Sequence, residues 1–157
     1  ILITSHSKDL GLAGERIGYI ALHPAVPDRA LWQEALVFTN RILGFVNAPA
    51  LMQRALPHLH GVQVDIGFYQ QLRDQVCSLM EEVGISCVRP QGAFYLFPQA
   101  LEEDDVAFVR RAQEEKLLLV PGSGFGWPGC FRLSYCCPGS VIENSREAWQ
   151  RLVESYQ

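Results

Sequence analysis

A change in the spacing of apolar residues constrains this chain more than any other feature. It opens with two short apolar runs, Ile1–Ile3 and Ile17–Leu22, of the length that buried strands take. Beyond them Leu31, Ala35, Phe38, Ile42 and Phe45 recur at steps of four, three, four and three, which is one face of a helix. The helical period returns at Leu72, Val76, Leu79 and Val83, and again through Ile142, Trp149, Leu152 and Tyr156. Such a mixture of strands and helices makes the fold α/β or α+β.

Local signals punctuate this pattern. Asp28, after Pro27, is the expected N-cap of the first long helix. "NAPALMQRALPHLHG" offers a second helix, with Pro49 near its start and Pro57 and Gly61 as stops. Gly84 ends the third, where a left-handed cap wants glycine. "SCVRPQGAFYLFP" reads as two strands turned about Pro90 to Gly92. A helix through "DDVAFVRRAQEE", a strand "KLLLVPG", a loop "SGFGWPG" and a strand "FRLSY" follow. Ser140 and Glu143 suggest a capping box for the last helix. A soft boundary falls near His60 to Phe68, and no internal repeat or low-complexity segment occurs.

Composition narrows the function classes. With 157 residues, 48% of them apolar and 19% charged, the chain has the makeup of an ordinary globular domain with a sizeable core. A net charge of -4 without any Lys/Arg block argues against a nucleic-acid partner. The apolar runs are too short for a membrane span, and no leader-like segment precedes them, so a cytoplasmic protein without a membrane partner is expected. Five cysteines without a C-x-x-C pair fit reduced thiols. The chain begins in an apolar run with neither Met nor cap, as expected of a piece of a longer polypeptide.

Chemistry concentrates in "SHSKDLGLAGERIGY", Ser5 to Tyr19. A lysine beside a buried strand, in a cramped glycine-bearing loop, can serve as a neutral amine nucleophile toward an aldehyde. A phosphate on the same ligand needs hydroxyls, backbone N–H groups and a guanidinium. Lys8 supplies the amine, and Ser5, Ser7 and Arg16 supply the anion-binding types. Other signals are weaker. His58 and His60 lack a third ligand, so no metal site is expected. The glycines of "PGSGFGWPG" launch no helix and precede no lysine, unlike a phosphate loop. "LEEDD" suits a helix N-terminus.

The stretch closely resembles the pyridoxal-phosphate attachment site of class I and II aminotransferases: Ser, any residue, Ser, Lys, a short loop, then Gly-x-Arg-x-Gly. Ser5, Ser7, Lys8, Gly14, Arg16 and Gly18 occupy the fixed positions. The resemblance implies that Lys8 bonds the aldehyde of pyridoxal 5'-phosphate and that Ser5 and Arg16 bind its phosphate. "PQGAFYLFP" looks like the family's small-domain hairpin, whose aromatics, here Phe94 and Tyr95, approach the substrate. "VPGSGFGWPGCFRLSY" resembles its terminal segment, in which the arginine, here Arg132, binds the substrate α-carboxylate. A planar guanidinium suits that task, because two parallel hydrogen bonds orient a carboxylate.

On this resemblance the fold is α/β: the carboxyl-terminal end of a pyridoxal-phosphate-transferase large domain, followed by an α+β small domain. Residues 1–62 would hold the cofactor lysine and the interdomain helix, and residues 63–157 the small domain. The implied activity is transamination between an α-amino acid and a 2-oxo acid, by a homodimer. This piece alone would be incompetent, because family members draw several cofactor contacts from the other part of their fold. Two alternatives share the site residues: a lyase or synthase of the same fold, such as a carbon-sulfur β-lyase, and the aminotransferase-like sensor domain of a transcription regulator.

Overall fold

A computed structural model describes residues 1–157. The chain divides into two compact units, Ile1–Val64 and Asp65–Gln157. No helix is long and apolar enough to cross a membrane.

In the first unit β1 (Leu2–Ser5) runs into a single helical turn, α1 (His6–Asp9). A 3-10 turn at Ala13–Glu15 then leads to β2 (Gly18–Ala21). The strands pair antiparallel, from Leu2 opposite Ala21 to Ser5 opposite Gly18. The sequence places a buried strand at Ile1–Ile3, yet Leu2 and Ile3 are exposed, because the sheet of this unit has only two strands and the space between it and α2 stays open. Next come α2 (Arg29–Ile42), α3 (Ala50–Ala55) and a 3-10 turn at Leu56–Leu59 containing Pro57.

Asp28 is not the expected side-chain cap. Its backbone is left-handed (φ 55°), not extended, and its carboxylate caps no N–H of α2. Its carbonyl still accepts from Trp32 N–H at 3.1 Å.

The second unit holds the core. α4 (Ile66–Glu82) begins at Asp65, whose carboxylate accepts from Phe68 N–H. It ends as expected at Gly84 (φ 76°): Gly84 N–H bonds Glu81 O and Ile85 N–H bonds Met80 O, the paired bonds of a Schellman motif. α5 (Asp105–Glu114) is capped by Asp104. β3 (Tyr95–Leu96), β4 (Val120–Pro121) and β5 (Phe131–Ser134) form an antiparallel sheet with β5 in the middle. Two short helices, α6 (Gly139–Asn144) and α7 (Arg146–Glu154), close the chain. Leu72, Val76, Leu79 and Met80 of α4 join Phe108 of α5, Phe131 of β5 and Trp149 and Leu152 of α7 in one cluster. Phe131 stacks on Phe108 at 4.8 Å and on Trp149 at 5.8 Å.

Three local expectations are corrected here. The hairpin about Pro90 to Gly92 has one strand, not two. Pro90 lacks an N–H and Ala93 is left-handed (φ 57°), so the chain leaves extended geometry and β3 pairs with β5 instead. The strand expected from Lys116 pairs only at Val120 and Pro121. Lys116 itself (φ 63°) terminates α5, with Leu117 N–H on Ala112 O at 2.9 Å. No Ser140–Glu143 capping box forms, because α6 starts after Pro138 and Ser140 already lies inside it. Glu143 pairs with Arg146, and the helix breaks at Ser145, whose hydroxyl donates to Ile142 O at 2.7 Å.

Candidate active site

In the first unit the β1–β2 ladder assembles the attachment motif. Ser5 closes β1 opposite Gly18, and His6 N–H donates to Ile17 O at 3.0 Å. This brings the serine–lysine end of the motif beside its arginine end. Gly18 makes the approach possible: a Cβ there would stand 2.4 Å from Thr4 O and 2.9 Å from Ser5 Cα. Ser7 and Lys8 sit on α1, and Lys8 is exposed rather than cramped. Arg16 adopts the left-handed conformation (φ 51°) at the end of the 3-10 turn, and its Nη1 donates to Ala13 O at 2.8 Å. Among the ion pairs of the chain none involves Arg16, so no acid of the chain neutralises its guanidinium.

His6, a variable position in the motif, is fixed by its neighbours. Its Nδ1 lies 3.0 Å from Asp9 Oδ2, and its ring lies 5.7 Å from that of Tyr19. The three-residue spacing on a helical turn was the signal for the first contact. A recess of about 950 Å³ bounded by β1, β2 and α2 is lined by Arg16 and Arg29 among others, but not by Ser5 or Lys8.

The second unit carries the other group of residues. Arg132 is in β5, opposite Val120, and is half-buried. Two rings hold its guanidinium: Cζ lies 4.7 Å from the centre of Tyr95 and 4.3 Å from that of Phe125. No acid pairs with it. Phe94 lies behind Tyr95, ring to ring at 4.8 Å, and stacks on Tyr69 at 5.9 Å, while its carbonyl accepts from Tyr135 N–H at 3.1 Å. The hydroxyl of Tyr69 is 3.7 Å from Cys136 Sγ. That hydrogen bond, with burial, holds the Tyr69 phenol above its ordinary range. Phe125 was visible in the sequence only as part of a glycine-rich loop.

Ser5, Lys8 and Arg16 thus form one local constellation, and Arg132 with its two rings a second. A sequence model of the family described as "Aminotransferase class I and II" matches residues 1–152. The chain belongs to this family. Within it, the chain is 34% identical to the aspartate aminotransferase of Geobacillus stearothermophilus, over 99% of its own length and 41% of that protein's. It is 28% identical to the glutamate-pyruvate aminotransferase AlaA of Escherichia coli K12, over 96% of its length and 40% of the relative's. Among solved structures, an aminotransferase from Eubacterium rectale superposes with a TM-score of 0.86 at 39% identity, covering 99% of this chain and 39% of that one. The aspartate aminotransferase of Thermotoga maritima gives 0.70 at 30%, covering 98% and 39%. The chain therefore spans about two fifths of the length of these family members.

Proposed function

We propose that the complete protein is a pyridoxal-phosphate-dependent aminotransferase acting between an α-amino acid and a 2-oxo acid, and that this chain carries its cofactor lysine and substrate-carboxylate arginine. The observation that carries the reading is the β1–β2 register, which sets Ser5 opposite Gly18 with Lys8 and Arg16 at the two ends of one motif. The donor set fits the group: an amine for an aldehyde, and hydroxyls with an acid-free guanidinium for a phosphate. In this reading Ile1–Val64 belongs to the large domain, and Asp65–Gln157 is the small domain.

When bound, pyridoxal phosphate supplies an aldehyde to bond amines and an electron-withdrawing ring that acidifies the substrate's α-hydrogen. Lys8 Nζ holds the aldehyde end. Freed when the substrate amine takes its place, the same nitrogen would be the base that takes the proton from the substrate α-carbon and passes it to the cofactor's C4' carbon. Ser5 and Arg16 hold the phosphate end. Arg132 grips the α-carboxylate with two parallel hydrogen bonds, which sets the direction of the α-hydrogen. Phe94 supplies an apolar wall on the substrate side. The protein works as a cytoplasmic homodimer.

Borohydride reduction of the complete protein with pyridoxal phosphate, followed by peptide mass mapping, tests the reading. The expected result is one phosphopyridoxyl group on Lys8 at near-full occupancy. A scatter over surface lysines, or transamination left intact by Lys8→Ala, overturns it. The expected loss on that substitution is at least about 10²-fold.

A further inference from the structure

Asp105 is the one charged residue of the chain that is buried, at 4% exposure. A buried carboxylate is costly unless hydrogen-bonded, so its partner shows what the position is for. The obvious role, capping α5, is already filled: Asp104 Oδ1 accepts from both Val106 and Ala107 N–H at 3.0 Å. Asp105 instead reaches out of its helix. Its Oδ2 accepts from Ser123 N–H at 2.6 Å, eighteen residues along the chain.

Ser123 belongs to a tight 3-10 turn, Gly122–Phe125, folded back on the strand that leads to Arg132. Gly122 N–H donates to Cys130 O at 2.8 Å, and a Cβ on Gly122 would stand 2.3 Å from Trp127 O and 2.6 Å from Cys130 O. The turn therefore has little freedom at its start. Its last residue, Phe125, places its ring 4.3 Å from Arg132 Cζ. Phe97 meets that ring edge-on at 5.6 Å and stacks on Trp127 at 6.0 Å. A guanidinium held by its face keeps its N–H edges for a planar anion and samples fewer rotamers when empty.

We propose that Asp105 is a positioning residue for Arg132: by holding Ser123 N–H it fixes the Gly122–Phe125 turn, which keeps the Phe125 ring on the guanidinium that receives the substrate carboxylate. Phe125 and Tyr95 are the two faces of that clamp. The inference rests on the reading of Arg132 as the carboxylate-binding residue.

The test uses the complete, cofactor-loaded protein, with KM for the amino acid and Kd for succinate as readouts beside thermal stability. Arg132→Lys examines the underlying reading, and a carboxylate affinity unchanged by it overturns both that reading and this inference. With Arg132→Lys weakening carboxylate binding, Phe125→Leu and Asp105→Ala are each expected to raise KM and the succinate Kd about tenfold. The double variant is then no worse than Phe125→Leu alone, because the two residues act along one path. Asp105→Asn, which keeps an oxygen acceptor for Ser123, restores affinity to within about threefold of the parent. A merely structural Asp105 lowers the melting temperature and the active fraction while leaving KM and Kd unchanged. That outcome, or additive losses in the double variant, overturns the proposal and leaves the assignment of Arg132 standing.

Discussion

Two helices with the same sequence signal meet opposite fates in this molecule. In α2 the stripe Leu31, Phe38 and Ile42 is exposed, Phe38 at 62%, as is Phe45 just past its end. In α4 the stripe Leu72, Val76, Leu79 and Val83 is buried. The contrast extends to the whole units: Ile17 is the one buried residue of Ile1–Val64, whereas Asp65–Gln157 closes a core around Phe108, Phe131 and Trp149. An apolar stripe states that a face must be covered. It does not state by what, and packing rather than propensity supplies most of a helix's stability.

Substitution at matched aromatic positions is the most direct way to break this comparison. Trp149→Ala should destabilise the 157-residue chain by about 3–5 kcal/mol, as removal of a large core side chain does. Phe38→Ala should change it by no more than about 0.5 kcal/mol, the range of exposed sites. Denaturant melts of the two variants measure both, and equal losses would erase the distinction between the units.

The helix starts sharpen the contrast on a smaller scale. Asp104→Ala removes a carboxylate that accepts two backbone N–H bonds and should cost about 1 kcal/mol. Asp28→Ala removes no cap bond and should cost nothing measurable beyond about 0.5 kcal/mol. Comparable losses at both positions would show that Asp28 caps α2 in solution.

The smallest effect is a pH dependence confined to the second unit. Burial, and then the hydrogen bond that its hydroxyl gives to Glu102, push the Tyr156 phenol up to about 12 from an ordinary value of 10.0. The folded state thus keeps this proton more tightly than the unfolded chain. Its contribution to stability is complete below pH 10 and fades as the pH climbs to about 12. Melts across that window should show a decline that Tyr156→Phe reduces, and an unchanged slope in the variant would remove Tyr156 as its source.

Much of the architecture was legible along the chain, for reasons that differ from residue to residue. Gly84 announced the end of α4 because a left-handed residue is needed there and glycine adopts it without steric cost. Lys116 hid the end of α5, since it takes the same conformation against its own preference and so read as the start of a strand. β3 was legible as a strand but not in its partner: hairpin logic favours the neighbouring segment, and β5 lies far along the sequence. At the site, Ser5, Lys8 and Arg16 stood out because the stretch around them resembles the family's attachment motif. Arg132 was named by its own surroundings in the sequence. Asp105 was not, because an acid at a helix start looks like a favourable dipole contact, and its bond to Ser123 spans two elements.

The sequence by itself determined where the long helices α2, α4 and α5 run, that α4 ends at Gly84, which faces are apolar, and which residue types stand in the Ser5–Tyr19 stretch. Those properties depend on bonds between residues a few positions apart, so local order is enough to specify them. Only the tertiary structure decided which apolar faces are covered, that β5 lies between β3 and β4, and that Tyr95 and Phe125 clasp Arg132 while Asp105 holds the turn beneath. Those contacts join segments distant along the chain, and no local period encodes them.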